Sequence, residues 1–286
     1  MHVPVMLGEC LEYLAIRPDG TYLDATAGLG GHAGAIASRL TSGFVIANDR
    51  DAESLEMARR NTAELAERMR FHRGSFSELP GALKEFGVER VNGLLADLGV
   101  SRYQLTEPER GFSLMTDGPL DMRMDRSRGI TAEEIVNFTA EKELADLIYQ
   151  FGEERRSRKI SRAIVRARPI HSTLQLARVI ETAVPRTGKL HPATQTFMAL
   201  RLVVNDEQGE LDSLLASAPD LVQSGGRIVF LTFMSLEDRK VKQAFQVLAR
   251  AGRATSLTKH VVRPTLEETK DNPPSRGAKL RALEMK

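Results

Sequence analysis

The chain has 286 residues and 42% hydrophobic content, which suffices for one full domain and a smaller second one. Its formal net charge is only +2, so no overall field indicates a nucleic-acid partner and charge has to be assessed locally. The single cysteine, Cys10, excludes an internal disulfide and a cysteine-based metal site. The absence of a leader pattern, or of an apolar run near the ~20 residues of a membrane span, predicts a cytoplasmic protein without membrane contact.

Short apolar runs alternate with helix-like spacing through the first third of the chain and again in its last third. This alternation predicts βαβ units and a mostly parallel sheet. The predicted strands are Thr21–Ala27, Phe44–Ala47, Met69–His72, Val91–Leu98, Arg227–Phe233, Ser256–Val262 and Ala278–Met285. The predicted helices between them are His32–Leu40, Ala52–Arg68, Glu210–Val222 and Leu236–Ala251. The last two strands have no helical pattern between them, which favours an antiparallel sheet edge.

The strand pattern disappears in the middle of the chain. Leu144, Leu147, Ile148 and Phe151 share one helical face, and Ile160 with Ile164 continue such a pattern. We therefore predict a discontinuous core domain, residues 1–100 and 191–286, that is interrupted by a helical insertion at residues 101–190.

A glycine turn follows the first strand, in the segment Asp24–His32. The sequence Gly28-Leu29-Gly30-Gly31-His32 leads into a helix, whose first amides favour an anionic group. Asp49 ends the second strand 21 residues after Gly28, close to the spacing at which an acid binds ribose hydroxyls. The spacing alone leaves a methyl donor and a nicotinamide dinucleotide open. Asp97 ends the fourth strand, at the edge where open sheets bind ligands.

Several longer segments, in order along the chain, resemble the bacterial 16S ribosomal RNA cytosine-N(4) methyltransferases. The strongest is the run Asp117-Gly118-Pro119-Leu120-Asp121-Met122-Arg123-Met124-Asp125. The others are His2–Leu7, Asp24–His32, Asp97–Ser101 with Gln104-Leu105, Glu109–Ser113, Gly152–Glu154, His191–Thr194, Ser235–Arg239, Asn272-Pro273 and Ala278–Arg281.

The resemblance implies a Rossmann-like class I methyltransferase sheet, S-adenosylmethionine as cofactor and no metal. Its binding positions carry over to Gly30, Gly31, His32, Asp49, Phe76, Asp97 and Gln104. The turn amides would hold the methionine carboxylate, Asp49 the ribose and Phe76 the adenine. Asp97 or a nearby backbone carbonyl is the candidate acceptor for the cytosine amino group. Considered alone, Phe76 is more typical of a core residue, and His32 is more typical of a helix start, than of a functional residue. The implied partner is 16S RNA within the small ribosomal subunit, and a homodimer is left open.

Four residues after the Asp97 strand are candidates for substrate contact. They are Arg110, Phe112, Asp121 and Arg123. Phe112 would stack on a splayed base, whereas Asp121 and Arg123 equally suit a structural ion pair. Residues 155–168 hold seven basic and no acidic residues, which suits either RNA phosphates or a solvated helix face.

Two departures from the family pattern keep an inactive ribosome-assembly factor as an alternative. Ala27 stands where related sequences have phenylalanine, and Met234 where they have histidine. A dehydrogenase, or a methyltransferase with a ribose or protein acceptor, is the other alternative.

Overall fold

The computed structural model describes residues 4–186, 188 and 190–286, and these form two compact units. The first unit comprises Met1–Gly99 and Gln208–Lys286, and the second comprises Val100–Glu207. The second unit thus ends at Glu207 rather than at residue 190, where the sequence pattern placed its end. The difference arises because the helix Thr194–Val204 contributes Phe197 and Leu200 to the core of the second unit.

The strands and helices are numbered in chain order. The strands are β1 (Thr21–Asp24), β2 (Phe44–Asp49), β3 (Met69–Arg73), β4 (Val91–Asp97), β5 (Val222–Thr232), β6 (Ala254–Ser256) and β7 (Lys279–Met285). The helices are α1 (Leu7–Leu14), α2 (Gly31–Ala37), α3 (Ala52–Asn61), α4 (Leu79–Glu85), α5 (Arg102–Thr106), α6 (Ala132–Phe138), α7 (Glu141–Gly152), α8 (Ser157–Ala167), α9 (Thr173–Ala183), α10 (Thr194–Val204), α11 (Glu207–Leu221), α12 (Ser235–Arg250) and α13 (Leu266–Asp271).

The first unit is built on a seven-stranded sheet in the order β3-β2-β1-β4-β5-β7-β6. The first five of these strands are parallel, and β7 runs antiparallel to both β5 and β6. The predicted Rossmann-like sheet with an antiparallel edge is therefore confirmed. Because the strand order reverses between β1 and β4, the carboxyl ends of these two strands border the crevice in which such sheets bind ligands.

Neighbouring residues along the central strands enter two different cores. Tyr22, Leu95 and Val229 lie in one apolar cluster, whereas Leu23 and Phe230 lie in the other. The sheet is thus covered on both faces, which explains why its strands are nearly continuous apolar runs in the sequence.

Several predicted boundaries need correction. Helix α3 ends at Asn61 and continues as a 3-10 helix, Ala63–Arg68. Strand β5 begins at Val222, so the predicted turn before residue 227 lies inside the strand, where the register to β4 shifts. A strand was predicted at Ser256–Val262, but β6 is shorter and lies earlier, at Ala254–Ser256. The short helix α13 lies between β6 and β7.

The second unit is helical and has its own core. Leu144 and Ile148 of α7 are buried there together with Ile160 and Ile164 of α8, as the spacing predicted. No helix in the described part of the chain has the length and apolar character that a membrane crossing requires.

Candidate active site

The glycine turn joins β1 to α2. Gly30 is the residue before the helix and has a φ of 85°, a conformation that side chains other than glycine rarely adopt. The amide of Gly30 donates to the carbonyl of Ala27 at 2.7 Å, and the amide of Ala27 donates to the carbonyl of Asn48 at 2.8 Å. The turn is therefore held against the end of β2 by a backbone hydrogen bond.

Asp49 lies directly beside this turn. Its Oδ2 accepts a hydrogen bond from the Gly28 amide at 2.7 Å, and its Oδ1 accepts from the Asp51 amide at 2.9 Å. Burial raises the pKa of Asp49 to about 6, although both amides act in the opposite direction. The structure thus brings the second-strand acid and the glycine turn together.

Asp24 and Asp97 end the two strands that flank the crevice, and Thr26 links them. Asp24 Oδ1 accepts from the Thr26 amide at 3.0 Å, and the Asp97 amide donates to Thr26 Oγ1 at 2.7 Å. The other oxygen of Asp24, Oδ2, and the Oδ1 of Asp97 are buried without a hydrogen-bond partner. Buried acceptors without a partner are costly in a folded protein, and they indicate a place where a hydrogen-bond donor of a ligand binds.

The electrostatics of these carboxylates follow from their burial and closeness. Burial raises the pKa of Asp24 to about 7, and the charge of Asp49 adds to this effect. Burial likewise raises the pKa of Asp97 to about 8, with further contributions from Asp24 and Glu237. A cationic group in the crevice would relieve both the desolvation and the mutual repulsion.

His32 connects Asp97 to the start of the chain. Its Nε2 lies 3.0 Å from the carbonyl oxygen of Val5, which can only accept, so Nε2 carries a proton. Its Nδ1 lies 3.7 Å from Asp97 Oδ2. The segment at residues 4–6 therefore packs against α2, while His2 and Val3 of the matching motif lie outside the described residues.

Glu237 is a site residue that the sequence analysis missed, as is Asp24. Glu237 Oε2 accepts hydrogen bonds from the amides of Phe233 and Met234, both at 3.1 Å, between the end of β5 and the start of α12. Both acids occur in quoted motifs. Asp24 ends β1, and Glu237 lies in the first turn of α12, which follows β5; these positions were the signal that would have found them. Met234 is the residue directly before α12 and takes part in its cap.

Phe76 begins a 3-10 helix after β3 and packs, half-buried, against one of the two cores of the first unit. Its contact with an adenine stays a prediction. Among the described residues, no group of three histidine, cysteine or acidic side chains is arranged to hold a metal ion.

The remaining predicted residues lie in the second unit. Gln104 belongs to the cap of α5, where its Oε1 accepts from the Ser101 amide at 2.9 Å. Arg110 is 1% exposed and donates from Nη2 to the carbonyls of Arg123 and Met124, both at 3.0 Å. Its role here is to hold the loop that contains residues 123 and 124.

Three of the substrate candidates favour a structural interpretation. Phe112 is 7% exposed and belongs to the core of the second unit, so its ring is not on the surface for stacking on a base. Asp121 binds Arg123 through both oxygens, at 2.7 and 3.0 Å. These contacts match the structural ion pair that the sequence analysis left open.

Comparison with known proteins identifies the family. The model of the MraW methylase family matches residues 1–286. A ribosomal RNA small subunit methyltransferase H from Solibacter usitatus is 66% identical over 286 residues, covering all of both chains. Proteins of the same name from Acidobacterium capsulatum and Koribacter versatilis are 50% and 48% identical, covering all of this chain and 98% and 94% of theirs. The chain therefore belongs to the MraW methylase family, which confirms the resemblance found in its sequence, its activity as a methyltransferase and S-adenosylmethionine as its methyl donor.

Proposed function

We propose that this protein transfers a methyl group from S-adenosylmethionine to the 4-amino nitrogen of a cytidine in 16S ribosomal RNA. The observation that carries the proposal is the pair of unpartnered, buried carboxylate oxygens on Asp24 and Asp97, beside a glycine turn, in a chain of this family. The names of the relatives, ribosomal RNA small subunit methyltransferase H, support RNA of the small subunit as the substrate.

The residues fit the donor chemically. S-adenosylmethionine carries an ammonium and a sulfonium, and the orphaned oxygens of Asp24 and Asp97 are acceptors that favour positive charge. The amides of Gly31 and His32 would hold its carboxylate, while the Gly30 amide stays bonded to the Ala27 carbonyl and shapes the turn. Asp49 would hold the ribose, Phe76 the adenine, and Gln104 a polar group near the methyl.

The bound donor supplies an electrophilic methyl group, and its carbon–sulfur bond breaks as the bond from carbon to the cytosine nitrogen forms. The cytosine amine is a poor nucleophile because its lone pair is delocalised into the ring. Asp97 would accept an N–H hydrogen bond from this amine, which favours a pyramidal nitrogen, and would take the proton that the nitrogen loses.

The second unit would recognise the RNA. Its core-buried Phe112 and paired Asp121 and Arg123 would act by shaping this unit rather than by touching the base. The family resemblance favours a cytidine of the decoding centre, within the small subunit, and hence action in the cytoplasm.

The test is incubation of the purified protein with labelled donor and small subunits from cells that lack the enzyme, followed by mass analysis of nucleosides. We expect one N(4)-methylated cytidine and loss of donor binding or turnover in Asp97→Ala. Label on a ribose or a protein would indicate another acceptor, and subunit binding without label would indicate an assembly factor. Stabilisation by NAD(H) but not by S-adenosylmethionine would favour a dehydrogenase.

A further inference from the structure

Helix α8 of the second unit has one buried and one strongly basic side. The buried residues are Ser157, Ile160, Ser161 and Ile164. At about 100° per residue, the cations of the helix fall within an arc of about 100° on the opposite side. Together with Arg155, directly before the helix, they form what we call the basic face: Arg155, Arg158, Lys159, Arg162 and Arg166.

The seven basic residues at positions 155–168 divide into two groups, those that stabilise the second unit and those of the basic face. Arg156 binds the buried carboxylate of Glu154 at 3.1 Å, and Arg168 donates to backbone carbonyls of Val136 and Thr139, so these two stabilise the unit. On the basic face, only Arg162 has an acidic partner, Glu141 at 3.4 Å, and both side chains are exposed. The side chains of the other four make no hydrogen bond or ion pair with any residue that the structure describes.

This arrangement works against the stability of the helix itself. The first turn of α8 contains no acid, and it carries Arg158 and Lys159 at the end of the helix where positive charge is unfavourable. Like charges also stand four residues apart on this helix and destabilise it, in the pairs Arg158 with Arg162 and Arg162 with Arg166. A solvated face would normally intersperse acids among such cations. A bound polyanion would remove this repulsion.

We propose that the basic face binds the phosphate backbone of the RNA that this protein modifies, an inference that rests on the proposed function. Arg158, Arg162 and Arg166 are separated by about 6 Å along the helix axis, which is similar to the distance between neighbouring phosphates of one strand. Guanidinium groups bind phosphate oxygens bidentately, and such contacts give affinity without selecting sequence.

The test compares two variants that each lose four positive charges. The first is R155Q/R158Q/K159Q/R166Q, because glutamine keeps a high helix propensity. The control is R39Q/K84Q/R90Q/R250Q. It removes four exposed cations of the first unit that lie toward the edge of the sheet at which the parallel strands begin, away from the carboxyl ends that border the crevice. Binding of fluorescent small-subunit RNA is measured between 50 and 300 mM salt, and donor binding is measured by calorimetry.

We expect the basic-face variant to bind RNA at least tenfold more weakly than wild type, with a slope of log affinity against log salt that is shallower by about 3. Its donor affinity should equal that of wild type, and the control should keep the wild-type slope. Equal RNA affinity in variant and wild type, or an equal loss in the control, would overturn the proposal. The proposal would also be overturned if the basic-face residues were needed for binding to subunit proteins or to anionic vesicles but not for binding to RNA.

The double variants R155Q/R158Q and K159Q/R166Q serve if the fourfold variant does not fold, and each should show about half of the change in slope. The two proposals fail separately. A wild-type protein that binds RNA through the basic face but transfers no methyl group contradicts the proposed function alone. If the wild-type protein methylates RNA and the basic-face variants have the same KM for RNA, the proposal for the basic face fails and the proposed function stands.

Discussion

The ionisation of Asp97 should make donor binding depend on pH. Its pKa is raised to about 8 by burial and by the charges of Asp24 and Glu237, and its side chain is 25% exposed. Only the ionised carboxylate attracts the cationic part of the donor. At a pKa of about 8, roughly 1% of Asp97 is ionised at pH 6 and about a quarter at pH 7.5, so affinity for S-adenosylmethionine should rise about twentyfold over this interval.

The assay is isothermal calorimetry at pH 6.0, 6.5, 7.0 and 7.5, in pairs of buffers that differ in ionisation enthalpy. This range lies below the pH at which the ammonium of the donor loses its proton. Donor binding should release protons, because it favours the charged carboxylate, and the release should be largest at low pH. The isosteric Asp97→Asn variant should bind weakly at every pH and release fewer protons. A flat wild-type affinity, or a variant with the same pH dependence as wild type, would refute the role of Asp97.

Three further predictions concern stability. The folded-state pKa of Asp24, about 7, lies above its unfolded value near 4, so the contribution of Asp24 to the stability of the donor-free protein is greatest at low pH and is lost as pH rises through this interval. Asp24→Asn should therefore be more stable than wild type at pH 8, by on the order of 4 kcal/mol, but equal to it near pH 4 in thermal unfolding. Calorimetry should show at least tenfold weaker donor binding, and wild-type affinity would contradict its placement at the donor. Gly111→Ala should destabilise the second unit by about 3 kcal/mol or more, because φ is 73° and a Cβ would lie 2.1 Å from a backbone oxygen. Gly129→Ala, with φ 81° but open space around its Cβ, is the control and should cost only about 1 kcal/mol in denaturant titration. Asn205→Ala should cost about 2–3 kcal/mol, because this buried amide bonds two backbone groups of the loop before α6, and an unchanged melting temperature would contradict that.

The parts of the fold that could be predicted are those whose physics is local. Strands such as Val91–Asp97 are buried on both faces, so they are continuous apolar runs, and glycines mark the turn at Gly30. The start of β5 could not be found in this way, because Ser224, Gly225 and Gly226 are turn residues by composition. They occur inside the strand, where the pairing with β4 shifts register. That irregularity depends on the neighbouring strand, which the local pattern does not report.

The candidate site was predictable where a motif fixed a spacing, as for Asp49 and the glycine turn. Asp24 and Glu237 were missed because their importance comes from the closeness of strand ends that are far apart in sequence. Phe112 was predicted to stack on a splayed base because it follows the strand that ends at Asp97, but it lies in the core of the second unit. An aromatic residue beside a motif carries no signal of its own that separates stacking on a base from packing in a core.

At both departures from the family pattern the backbone still supports the site, and the Met234 side chain also takes part in the cap of α12, which argues against an inactive protein. Ala27 contributes its amide and carbonyl to the glycine turn, and its small side chain is 4% exposed in the core of the first unit. Met234 contributes its amide to Glu237 at the start of α12. Any residue except proline supplies these backbone groups, so neither substitution removes a carboxylate from the crevice. Because the unpartnered oxygens of Asp24 and Asp97 remain, the chain keeps a costly arrangement that a bound cationic ligand would relieve. A protein that had lost methyl transfer would have no reason to keep that cost.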